Sequence, residues 1–222
     1  MFGRLGHLIK RFGLTDQSYR FLFEPEPAEE AVSLDCETTG FDPWTDEIVS
    51  IAAIRINGRR ILASSAFRAL VRPEGTMRPD SIKVHQLRQQ DVAQSRPMSG
   101  VLPELLHFVG SRPLVGYWIQ FDVRMLNKYL LAMIDTRLPN RRIDVSELYY
   151  DRKYGNAPPG TRVDLRYAAI RADLKLPTRR QHDAFEDALG AAEMYLVLED
   201  MRERSVRLPR ERPEVRGDFT IA

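Results

Sequence analysis

One stretch constrains this chain more than any other: Ala31-Val32-Ser33-Leu34-Asp35-Cys36-Glu37-Thr38-Thr39-Gly40-Phe41. A short apolar run ends in two carboxylates spaced i, i+2, and a Thr-Thr-Gly turn follows. Side chains alternate faces along a strand, so Asp35 and Glu37 share one face and Cys36 takes the other. Two anions held that close repel each other unless a cation lies between them. An oxygen-rich pair of this kind opens a site for a hard divalent ion, Mg²⁺ or Mn²⁺. The same triplet also arises by accident in a chain with 29% charged residues, where it marks only a strand that ends in a polar turn. Other parts of the sequence decide between the two.

A chain of 222 residues with 43% hydrophobic content is long enough for one sizeable core. The formal net charge of +2 points to no partner by itself, although carboxylates neutralised by metal would leave a more basic surface. Of the 33 basic residues only Lys10, Lys83, Lys128, Lys153 and Lys175 are lysines, so 28 are arginines. Arginine suits phosphate contacts, but codon usage alone produces such a bias. Cys36 is the single cysteine, which excludes an intrachain disulfide and a cysteine-based zinc site. It reads as a small core residue. No run approaches the ~18 apolar residues of a membrane span, and Met1 to Arg11 lacks the apolar centre of a secretory signal. A cytoplasmic protein with no membrane contact is expected.

Residues 1–28 form an N-terminal extension. Its first 20 residues mix apolar and basic types at a loosely helical spacing, which suits an arm packed on the domain, and Glu24-Pro25-Glu26-Pro27 reads as a linker. The main domain is expected over 29–201. After the first strand, Ile48 to Ile56 reads as a second strand, Asn57-Gly58 as a two-residue hairpin, and Ile61 to Val71 as a third. Short helical pieces follow over Ser81 to Val92, then a helix over Met98 to Val109 despite Pro103. Pro113 to Tyr117 and Arg142 to Val145 are short strands. Helices are expected over Phe121 to Ile134, Leu148 to Arg152, Leu165 to Leu174 and Asp183 to Met201. Three antiparallel strands followed by alternating β and α segments make a mixed α/β sheet of about five strands, flanked by helices. Residues 202–222, rich in Arg, Glu and Pro, read as a loosely ordered tail.

Two further places carry carboxylates. Asp122 falls in the first turn of a helix just past a strand end, where open α/β sheets bind ligands. Helix capping alone also favours an Asp there. In His182-Asp183-Ala184-Phe185-Glu186-Asp187-Ala188, His182 and Asp187 would lie about 140° apart on one continuous helix. They converge only if His182 precedes the helix and Asp187 faces the sheet from it. Ala184, Ala188, Ala191 and Ala192 would let that helix come close, and an inward Asp then needs a partner. His182 alone is compatible with a surface or capping histidine.

In this order and spacing, Asp35-x-Glu37-Thr38-Thr39-Gly40, Gln120-Phe121-Asp122 and His182-Asp183-Ala184-x-x-Asp187-Ala188 resemble the DEDDh (DnaQ-like) 3′–5′ exonucleases, the group of the bacterial proofreading epsilon subunit and ribonuclease T. The resemblance covers roughly residues 29–201. It implies a ribonuclease H-like fold and hydrolysis of phosphodiester bonds at the 3′ ends of single-stranded or frayed nucleic acid, with DNA favoured. It implies two divalent metal ions, Mg²⁺ or Mn²⁺, held by Asp35, Glu37, Asp122 and Asp187, with His182 as general base. It places Thr38, Thr39, Phe41 and His85 against the 3′-terminal nucleotide. Tyr117-Trp118 stand where the family often has His-Asn, and no polymerase- or clamp-binding tail is visible, so a polymerase or repair partner has no motif behind it. Trimming of RNA or short oligonucleotides from the 3′ end, or an idle module that binds nucleic acid or a partner on the same fold, are the other readings.

Overall fold

The computed structural model describes residues 14–210. The expectations for residues 1–13 and 211–222 lie outside these. Strand β1 (Glu30–Thr38) is the centre of the sheet. It pairs antiparallel with β2 (Ile48–Asn57) from Glu30 opposite Asn57 to Thr38 opposite Ile48. The register shifts between Glu37 and Thr38, a bulge that ends the regular ladder at the second carboxylate. On its other side β1 pairs in parallel with β5 (Leu114–Gly116), which pairs in parallel with β6 (Arg142–Asp144).

The third strand of the meander differs from the expected continuous run. It is split into β3 (Arg60–Ile61) and β4 (Phe67–Leu70), both paired with β2. Ile61 faces Ile56 and Phe67 faces Ala53, so six positions on one side run against three on the other. A 3₁₀ turn at Ala63–Ser65 absorbs the excess. The apolar pattern hid this break because Ala63 and Ala66 continue it. The sheet therefore has six strands in five positions, ordered β3-β2-β1-β5-β6 with β4 beside β2.

Helices α1 (Pro79–His85), α2 (Gln89–Val92), α3 (Met98–Val109), α4 (Gln120–Ile134), α5 (Val145–Lys153), α6 (Tyr167–Asp173) and α7 (Ala184–Glu203) complete the domain. One face of the sheet buries Val32, Leu34 and Cys36 with Leu102, Leu105 and Leu106 of α3 and Leu126 and Leu130 of α4. Each such leucine contributes about 1.5–3 kcal/mol by leaving water. On the opposite face Ala184, Ala188, Ala191 and Ala192 of α7 are buried. Their small side chains bring the helix close enough for Ser33 Oγ to donate to the Ala188 carbonyl at 2.7 Å.

The described part of the extension packs into this core. A 3₁₀ helix over Gln17–Phe23 is capped by the Asp16 side chain, and Leu22 and Phe23 join the cluster under β1. The tail also begins docked: the Leu208 N–H donates to the Arg152 carbonyl at 3.1 Å. No helix among the described residues is long and apolar enough to cross a membrane. Because Leu22 is 1% exposed, Leu22→Ala is expected to cost about 2–5 kcal/mol. Urea unfolding checks this, and a loss below half a kilocalorie would make the segment an appendage.

Candidate active site

The sheet brings its carboxylates together at the C-terminal end of β1. Asp35 and Glu37 point to the α7 side, and Asp187 approaches from α7. One oxygen from each of the three lies within 4.8 Å of the others. Asp183, just before α7, caps the helix by accepting from the N–H groups of Phe185 and Glu186. His182 precedes the helix in a left-handed conformation, φ 64°. That turn sends its backbone N–H back to Asp187 Oδ2 at 2.7 Å. His182 and Asp187 thus converge because they are not on one helix. The imidazole of His182 is exposed at the rim.

Asp122 arrives by another route. Strand β5 stops at Gly116, where a Cβ would come within 3.0 Å of the Leu34 carbonyl and 2.8 Å of Ile119 Cδ1. The chain reverses through Trp118, at φ 57°, into α4. Beyond the end of β5 the β1 edge has no strand partner, and Asp122 Oδ1 accepts from the Cys36 N–H there at 3.0 Å. Asp122 is buried and lies beside the trio rather than in it.

Burial and mutual repulsion dominate the electrostatics. Asp35 is pushed well above the ordinary carboxylate range, first by burial, then by Asp122, Asp187 and Glu37. Burial with Asp187 and Asp183 pushes Glu37 up to about 7. Asp122 is raised by burial although the Cys36 N–H opposes it. Asp187 is raised by burial against the His182 N–H. Among the described residues no Lys or Arg pairs with these four. A cluster of hard oxygen donors that destabilise one another fits a divalent cation.

The expected nucleotide-contacting residues surround this cluster. Thr38 Oγ1 donates to the Gly40 carbonyl at 2.7 Å, and Thr39 Oγ1 to Asp46 Oδ1 at 3.1 Å. Both hydroxyls hold the turn, and the Thr39 N–H donates to the Glu47 carbonyl at 2.8 Å. Phe41 is 85% exposed with its ring 6.2 Å from that of Phe121. His85 is buried, and its Nδ1 accepts from the Leu87 N–H at 3.0 Å. Its Nε2 is buried with no hydrogen-bond partner among the described residues. Burial lowers the His85 pKa, partly offset by the Thr38 backbone.

Sequence reasoning missed several supports. Buried Asp46 anchors the turn through Thr39 and the Asp42 N–H. Arg171, 3% exposed, ties the Pro177 and Gly190 carbonyls to Glu193. Arg179 reaches Glu193 and Glu186. Together they fasten the loop that carries His182. Gly190 leaves room for the buried Tyr167 hydroxyl, which a Cβ there would strike. No local pattern marks these residues, because their partners lie far along the chain.

The exonuclease family model of the RNase T type matches residues 32–195, from the start of β1 into α7. The chain belongs to the DnaQ-like exonuclease family. The DNA polymerase III subunit epsilon of Aquifex aeolicus is 30% identical over 174 residues, 77% of this chain and 81% of that protein. The PolC-type DNA polymerase III of Thermotoga maritima is 27% identical over 178 residues, but the chain spans only 12% of its length. Among solved structures, the zinc-bound E. coli exonuclease I–single-stranded DNA complex aligns with a TM-score of 0.67 and 16% identity, over 80% of this chain and 42% of that one. Exonuclease X in complex with 5′ overhanging duplex DNA aligns at 0.58 and 22%, over 80% and 95%. At such identities the structures share the fold, a ribonuclease H-like mixed sheet.

The carboxylates of this DnaQ-like domain bind protons more tightly when folded than unfolded, where a carboxyl titrates at about 4. For Glu37 that stability is complete below about pH 4 and is lost as pH rises through about 7. Metal-free protein is therefore expected to melt roughly 5 °C lower at pH 8 than at pH 5.5, and saturating Mg²⁺ or Mn²⁺ to reverse most of the loss. Thermal scans in EDTA and in metal read this, and a melting point indifferent to both would refute it.

Proposed function

We propose that this chain is a metal-dependent 3′–5′ exonuclease that hydrolyses the terminal phosphodiester of a nucleic-acid strand and releases nucleoside 5′-monophosphates. The convergence of Asp35, Glu37 and Asp187 within 4.8 Å, with buried Asp122 beside them and His182 at the rim, carries this reading. Asp35, Glu37, Asp122 and Asp187 would hold two divalent ions, Mg²⁺ or Mn²⁺. When bound, such ions acidify a water and neutralise the charge that builds on phosphorus and on the leaving 3′ oxygen.

The chain's own residues do the rest. His182, exposed at the rim of the cluster, accepts the proton of the attacking water as general base. The water oxygen forms the new bond to phosphorus as the bond to the preceding 3′ oxygen breaks. The Thr38–Thr39 segment and His85 would line the pocket for the terminal nucleotide. Phe41 and Phe121 supply rings for the last base. Single-stranded or frayed ends suit exposed aromatics better than a closed duplex.

DNA is the favoured substrate, in keeping with relatives named as DNA polymerase III subunits. Association with a polymerase would follow the same relatives, without a binding motif to support it. RNA is the second reading, since that choice turns on contacts to the 2′-OH.

Asp122→Ala and Asp187→Ala are each expected to reduce Mg²⁺-dependent degradation of a 5′-labelled oligonucleotide by about 10³-fold or more. His182→Ala should keep the melting shift on metal addition and lose about 10²–10⁴ in turnover. Matched DNA and RNA strands, single and duplex, digested side by side, decide the substrate. Wild-type protein inert on all four with either metal would overturn the assignment.

A further inference from the structure

A cavity of about 310 Å³ opens beside the carboxylates on the His182 side, lined by Glu37, Arg68, His85, His182, Asp183 and Phe185 among others. Asp35 faces Ala52 across one strand pair, and Ala52 faces Arg68 across the next. Directly opposed residues share a face of the sheet. Arg68 therefore stands in the same row as Asp35, with only a methyl group between them.

Many of the described arginines are held by a carboxylate. Arg59, Arg88, Arg96, Arg112, Arg171 and Arg179 are each paired with a carboxylate. Arg68 has no such partner among the described residues, although Glu37 and Asp183 line the same cavity. Its guanidinium lies over the Phe185 ring, 3.1 Å from Cζ to centroid. Phe185 stands in the first turn of α7, two positions before Asp187, and its N–H donates to Asp183 Oδ1 at 3.1 Å. Stacking on an aromatic face orients the guanidinium and leaves its N–H edge free for a planar, bidentate acceptor such as phosphate.

We propose that Arg68 is a phosphate-binding residue of this site, which takes the phosphate of the terminal nucleotide from the His182 side and holds it in the released nucleoside 5′-monophosphate. The inference rests on the exonuclease reading. In a displacement at phosphorus the attacking oxygen enters opposite the leaving oxygen. If His182 takes the proton of the attacking water, the new phosphate oxygen forms on the side where Arg68 waits. Arg68 adds a positive charge from the protein itself to the one that the metal ions would supply.

The test compares wild type, Arg68→Ala and Arg68→Lys, with Mn²⁺ present throughout. Arg68→Ala is expected to raise KM for a single-stranded oligonucleotide about tenfold while kcat changes less than about threefold. The salt dependence of kcat/KM should lose about one unit of slope, as for one phosphate contact removed. Binding of thymidine 5′-monophosphate, read by calorimetry, should weaken about tenfold, while thymidine binding stays unchanged. Arg68→Lys should fall between, because it keeps the charge and loses the fork. Wild-type nucleotide affinity and salt slope in folded Arg68→Ala would overturn the proposal. The calorimetric arm reads Arg68 without turnover, so a wild type that binds the nucleotide through Arg68 but cleaves nothing would sink the exonuclease reading alone.

Discussion

The repulsion among carboxylates at the end of β1 is the constraint on which the rest of the domain depends. Asp35, Glu37 and Asp187 offer oxygens within 4.8 Å of one another in a partly buried place. Charges in such a setting are costly unless a cation or hydrogen bonds compensate. The chain provides backbone donors: the His182 N–H for Asp187 and the Cys36 N–H for Asp122. It provides no Lys or Arg pair to the four carboxylates among the described residues, so their remaining demand is left for a divalent ion.

Holding such a cluster requires a scaffold that does not yield. The alanine face of α7 lies close on β1, and Ser33 bonds that helix directly. The loop before α7 is fastened by Arg171 and Arg179 through Glu186 and Glu193. These partly buried, charge-assisted bonds stand on well-packed elements, where they specify position more than they add stability. Asp46 plays the corresponding part for the turn after β1. Core packing on the α3–α4 face and polar ties on the α7 face thus divide the work of support and placement.

The short parallel pairing of β1 with β5 has a functional consequence. Because β5 ends at Gly116, the β1 edge keeps an unpaired N–H at Cys36, and Asp122 satisfies it. The carboxylate is thereby oriented by the main chain of the strand that carries Asp35 and Glu37. One hydrogen bond couples the second segment of the site to the first.

Much of this was legible along the chain. The strand alternation in Ala31 to Glu37 placed two carboxylates on one face and Cys36 on the other. The small residues of the last helix predicted its close approach, and Asn57-Gly58 marked the hairpin to within one residue: Asn57 pairs with Arg60, so the turn residues are Gly58 and Arg59. These are local properties, carried by residues a few positions apart. The tertiary structure alone decided that β3 and β4 are separated by a three-residue turn, that Leu22 and Phe23 belong to the core, and that Asp122 bonds a strand edge 86 positions away. It alone set Arg68 beside Phe185 and tied Arg171 to Glu193. Such contacts join distant segments, and no periodicity in the sequence records which buried donor will meet which acceptor.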